Sequence, residues 1–95
     1  MSKTSLNVQQ ALGLRVRELR AERGITQEEF ADRCGVFRTY MSRVETGKAN
    51  PTLTMLHILA NALSVKVQVL LEWPTVPDVP RVRTKEKLAR GRIRR

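Results

Sequence analysis

The sequence predicts an all-α fold, a compact bundle of short helices followed by a basic tail. Three observations point there. Apolar residues recur at helical spacing, as at Leu12, Val16 and Leu19. Helix starts and stops are written locally, most clearly in Thr26-Gln27-Glu28-Glu29 and Gly35. Finally, a chain of 95 residues buries only about 60% of its unfolded surface, so its core must be built economically from neighbouring elements.

The first helix is expected over 6–23. Leu12, Val16 and Leu19 form its apolar stripe, Arg15, Arg17, Glu18, Arg20 and Glu22 lie off it, and Gly24 closes it. Thr26 and Glu29 then make a capping box, flanked by Ile25 and Phe30 at the spacing of a hydrophobic staple. This starts a second helix, Gln27 to Cys34, with Phe30, Ala31 and Cys34 facing inward. Gly35 stops it. Over 38–46, Met41 and Val44 share one side while Arg38, Thr39, Ser42 and Arg43 share the other. Gly47, Asn50 and Pro51 mark a loop. A fourth helix follows, with Thr52 as its cap and Leu53, Leu56, Leu59, Ala60 and Leu63 as its stripe. The segment Val65 to Trp73 fits two readings. Val67, Leu70 and Leu71 suit a short helix, whereas the alternating valines suit a strand. Pro74, Pro77 and Pro80 recur at the spacing of an extended linker, and Arg81 to Arg95 is expected to be disordered when free. The expected division is a domain over 1–73 and a tail over 74–95.

Charge narrows the function classes. The net charge is +9. Residues 1–73 carry ten basic and seven acidic side chains, and residues 74–95 carry eight and two. Two thirds of the excess therefore sits in the tail, a balance that favours nucleic acid or an anionic membrane as partner. The apolar run Met55 to Trp73 is a poor membrane span, because Lys66 near its centre costs about 2.5–3.5 kcal/mol in a bilayer. His57, Asn61 and Gln68 add to that cost. The single cysteine, Cys34, allows no intrachain disulfide and is expected in the core. With no signal-peptide pattern at the start, a cytoplasmic location is expected.

Two short helices joined by a glycine-containing turn make a helix-turn-helix. Its demands are met between Gln27 and Thr46: small Ala31 where the helices cross, Gly35 in the turn, and Val36, Met41 and Val44 anchoring the second helix. The polar side of that helix is left to project.

In this stretch the sequence resembles the Cro and phage-repressor (XRE) type of helix-turn-helix family. The resemblance spans 12–72. It is carried by T-Q-E-E-F-A at 26–31, by Ser42, Glu45 and Gly47, and by Asn50-Pro51. The run Arg38-Thr39-Tyr40-Met41-Ser42 also resembles restriction–modification controller proteins. The resemblance implies a five-helix domain, which favours helix over strand at Val65 to Leu71, with 38–46 as the recognition helix. By family position, Arg38, Thr39 and Arg43 would contact base edges. Gln27 would grip a phosphate, and Tyr40, Ser42, Lys48 and Asn50 would make further backbone contacts. Arg20 and Glu45 would form a structural ion pair between the first and recognition helices. One departure is Phe37, where the family usually has a Ser or Thr cap; the missing hydroxyl costs about 1 kcal/mol.

The expected function is sequence-specific binding of double-stranded DNA by a homodimer, acting as a repressor or autoregulator on a palindromic operator. One rival is an antitoxin-type repressor that also binds a toxin partner, favoured if Val65 to Leu71 is a strand. Another is a non-specific nucleic-acid-binding module driven by the tail. No nucleophile–base pair or phosphate-cradling glycine loop appears, so no enzyme is expected. His57 has no partner at ligand spacing, so neither a metal nor a cofactor is expected.

Overall fold

A computed structural model describes residues 6–75. The linker prolines Pro77 and Pro80 and the basic stretch from Arg81 lie outside the described residues. Five α-helices run through the described chain, and no strand occurs among those residues.

Helix α1 spans Val8–Glu22. It starts two residues later than periodicity alone suggests, because Asn7 caps it. The Asn7 side chain accepts from the Gln10 amide at 2.8 Å, and the Gln10 side chain accepts from the Asn7 amide at 3.0 Å. The sequence sign of this box, Asn-x-x-Gln, is missed by a reading of periodicity alone. Helix α2, Gln27–Cys34, is started by the Thr26–Glu29 box, with bonds of 3.0 and 2.9 Å. Those bonds hold the Glu29 carboxyl below its usual range. Helix α3 spans Arg38–Glu45, α4 Leu53–Ala62 and α5 Val67–Leu70. In α5 the backbone closes on itself: the amides of Val69 and Leu70 donate to the Lys66 carbonyl, and that of Leu71 to Val67. A strand would need a neighbouring edge for the same groups, and the described chain offers none.

α1 packs on α3 and α5, α2 on α3 and α4, and α4 on α5. Val16, Phe30, Met41, Val44, Leu59, Leu63 and Leu70 form the fully buried centre. Cys34 belongs to this core, and burial pushes its thiol up to about 11. It is therefore an unreactive thiol at neutral pH. Leu53, expected in the α4 stripe, is 69% exposed. It sits in the first turn of α4 beside exposed Thr52 and Thr54. The stripe proper begins at half-buried Leu56.

α1 crosses α3 at Gly13. A Cβ there would lie 2.5 Å from the Glu45 carbonyl oxygen and 2.6 Å from that of Val44. Only glycine lets the two backbones approach this closely.

Arg15, expected off the apolar stripe, is buried, with 7% exposure. Its Nε donates to the Val69 carbonyl in α5 at 3.0 Å, Nη1 to Glu18 at 3.1 Å, and Nη2 to Glu72 at 3.0 Å. The second oxygen of Glu18 accepts from both the amide and the hydroxyl of Thr75, at 2.9 and 2.8 Å. Pro74 is buried as well. The packed body thus continues through Thr75. At the other end of α4, Arg23 Nε donates to the Leu63 carbonyl at 2.7 Å. Arg15→Met should cost about 1–3 kcal/mol, the worth of charge-assisted bonds to a half-buried carbonyl and two carboxylates. Thermal unfolding measures the loss, and amide exchange at Leu70 and Leu71 should accelerate with it.

Candidate nucleic-acid interface

The local chemistry of α2 and α3 decides which side chains face outward. Gly35 closes α2 in the left-handed region, with φ +72°. The Val36 amide then donates back to the Ala31 carbonyl at 3.0 Å. This tight turn sets α3 across α2, where Ala31, 1% exposed, allows close approach. Met41 and Val44 are fully buried beneath α3, and half-buried Val36 packs beside them.

Helical geometry places the opposite side of α3 outward. Arg38, Thr39 and Arg43 are exposed there, with exposed Lys48 and Asn50 in the following loop. Ser42 and Tyr40 are half-buried, and Tyr40 packs against the core. Arg43 Nη2 donates to the Lys48 carbonyl at 3.1 Å, which ties the end of the helix to the loop. Phe37 precedes α3 without any side-chain cap bond and is 84% exposed, so α3 still begins at Arg38.

The one carboxylate between Val36 and Asn50 is Glu45, and it is taken out of play. Arg20 Nε donates to Glu45 Oε2 at 2.8 Å and Arg20 Nη2 to Oε1 at 2.9 Å, a two-pronged pair joining α1 to α3. Arg20 also donates to the Ile25 carbonyl, at 3.0 Å. The outer face of α3 therefore carries Arg38 and Arg43 with no exposed acid among the neighbouring 36–50. Gln27 is engaged within the protein: its Nε2 donates to Glu45 Oε1 at 3.0 Å and its Oε1 accepts from Arg38 Nε at 3.3 Å. One amide hydrogen of Gln27 stays available to a phosphate. Its two partners, 18 and 11 residues away, left no signal in the local sequence.

A convex, cationic helix held by apolar anchors suits insertion into a major groove. The described residues contain no cluster of metal-ligating side chains and no helix long and apolar enough to cross a membrane.

Comparison with known proteins places this arrangement. A family profile described as a helix-turn-helix domain matches residues 11–73. The HTH-type transcriptional regulator y4dJ of Sinorhizobium fredii, itself uncharacterized, is 40% identical over 70 residues, covering 74% of this chain and 90% of its own. Among solved structures, the restriction-modification controller protein C.AhdI from Aeromonas hydrophila superposes with a TM-score of 0.63 at 38% identity. That match covers 64% of this chain and 92% of the other. SinR, a master regulator for biofilm formation solved in complex with DNA, superposes with a TM-score of 0.60 at 32% identity, over 64% and 98% of the two chains.

Proposed function

The chain belongs to the helix-turn-helix domain family, of the phage-repressor (XRE) type, and is a DNA-binding transcriptional regulator; from that premise we propose that it acts as a homodimeric repressor on a two-fold symmetric operator. The observation that carries the reading is the outer face of α3, cationic and without an exposed acid. Arg38 and Arg43 would each donate twice to a guanine O6 and N7, and Thr39 would touch a thymine methyl or a base edge. The free amides at the start of α2, the remaining Gln27 hydrogen, Tyr40, Ser42, Lys48 and Asn50 would hold phosphates, which fix register without reading sequence.

Dimerisation is supported by exposed apolar surface at the starts of α1 and α4 and just after α5. Leu71 and Trp73 are about half exposed, Val8 and Leu53 more so, and Val8, Leu12, Pro51, Leu56 and Leu71 line a shallow groove. Apolar residues grouped in this way mark protein interfaces more often than bare solvent. A two-fold pair joined there would set two recognition helices about 34 Å apart, one turn of duplex. Occupancy of such a site would exclude polymerase from a nearby promoter. The domain of 1–73, extended by the packed Pro74 and Thr75, would carry the specificity, and the basic tail would add affinity for any duplex. The helical α5 gives no support to an antitoxin, which a strand at 65–71 would have favoured.

Selection of bound duplexes from a random pool tests the reading. An inverted repeat is expected, with half-site centres about 10–10.5 base pairs apart. Recovery of duplexes without any shared sequence would replace it with a non-specific binder. Within the selected site, Arg43→Ala should erase preference at one position per half-site, a loss of about 1–3 kcal/mol. Lys48→Ala should instead weaken every duplex alike and flatten the salt dependence.

A further inference from the structure

Phe37 holds the N-cap position of α3 and supplies no cap bond. Its backbone, at φ −73° and ψ 148°, lies close to that of Thr26 at −73° and 161° and of Thr52 at −71° and 166°. Those two threonines each accept from the amide three residues on, at 3.0 and 3.1 Å. A hydroxyl at 37 would reach the Tyr40 amide in the same way. The backbone is thus already shaped for a polar cap, and the chain carries a phenyl ring there instead.

The ring does not join the core either. Val36 and Met41 pack inward on either side of it, while Phe37, 84% exposed, is the most exposed large apolar side chain among the described residues. It walls a shallow groove with Val36, Tyr40 and Met55. Exposed Arg38 follows it directly, and no exposed acid occurs over 36–50. This cationic setting favours a duplex as the surface that covers the ring. The leading residues of a recognition helix meet base edges. In the major groove those edges are polar with one exception, the methyl group on C5 of thymine, which takes apolar contact.

We propose that Phe37 is a specificity-determining residue: its ring reads the C5-methyl group of a pyrimidine next to the base pair met by Arg38, and α3 forgoes its cap to carry that ring. The role rests on the reading of α3 as the recognition helix. Thymine and 5-methylcytosine both offer the methyl. The full chain is titrated with the duplex recovered from the random pool and with copies carrying uracil for each thymine of one half-site in turn. At one thymine, loss of the methyl should weaken binding about two- to fivefold, the worth of one buried methyl. Cytosine and 5-methylcytosine are then compared at that position, and the pair with the larger factor identifies the natural source. Phe37→Ser should bind the methylated and unmethylated copies equally. It should also melt about 4–8 °C higher, because the Tyr40 amide gains an acceptor. Phe37→Leu should keep a methyl effect without that gain.

If no methyl effect of the wild-type chain is removed by Phe37→Ser, methyl reading by Phe37 is overturned, while base reading by α3 stands. A uniform loss on all duplexes with the methyl effect kept places the ring on a sugar and overturns it equally. If the random pool yields no shared sequence, base reading fails and the role of Phe37 fails with it.

Discussion

Gly13→Ala is expected to cost at least about 3 kcal/mol and to lower the melting temperature by about 12–24 °C. Two effects oppose each other. Alanine in the middle of α1 gains about 1 kcal/mol of helix propensity over glycine. Against this, the new Cβ would sit 2.5–2.7 Å from backbone atoms of Glu45 and Val44. No rotamer change relieves contact with a backbone, so α1 and α3 must separate, and the buried layer between them opens. A domain of this size holds only about 4–10 kcal/mol in total, so the clash removes a large share. Circular dichroism during heating measures the outcome, and an unchanged melting temperature would show that α1 and α3 do not touch at Gly13. DNA binding should fall as well, since the crossing at Gly13 sets the level of α3 against the rest of the body.

Arg20→Met should cost about 3–5 kcal/mol, the penalty for leaving a buried carboxylate without its cation. Methionine keeps most of the apolar stem of arginine, so the loss reports chiefly the missing guanidinium and its bonds to Glu45 and the Ile25 carbonyl. Gln27 still donates to Glu45, and one neutral donor replaces little of a two-pronged guanidinium. The double variant Arg20→Met, Glu45→Leu should recover much of the stability, because the uncompensated charge is then gone. Chemical denaturation of the three proteins decides it, and equal stability of the single and double variants would contradict this account.

Much of the fold was legible because it depends on neighbours in sequence. Thr26 and Glu29, Gly35, Thr52, and the pairing of Met41 with Val44 are local signals, and each placed an element. Asn7 and Gln10 carried the same kind of signal and set the start of α1. Other features depend on partners far along the chain. Arg15 stands off the Leu12–Val16–Leu19 stripe by periodicity, yet it is buried by Val69 and Glu72, 54 and 57 residues away. Gly13 looks like a weak point in a helix until the Glu45 carbonyl is seen beside it. Leu53 obeys the periodicity of α4, but it lies in the exposed first turn of that helix. At the interface, the residue types on the outer face of α3 were readable from their spacing. The bridge through Gln27 was not, because it joins α2 to both ends of α3. The alternating valines at 65, 67 and 69 suited a strand and Val67, Leu70 and Leu71 a helix; the family resemblance favoured the helix, and the structure has a helix there with no adjoining edge among the described residues.

A helix of four residues is too short to hold itself together in water. Two bonds from Arg15, to the Val69 carbonyl and to Glu72, together with buried Leu70 therefore tie α5 to α1, and independent fraying of this corner is suppressed. A second subunit docking on Leu71 and Trp73 would meet a surface that has already surrendered its disorder, so its complex would forfeit little entropy on forming.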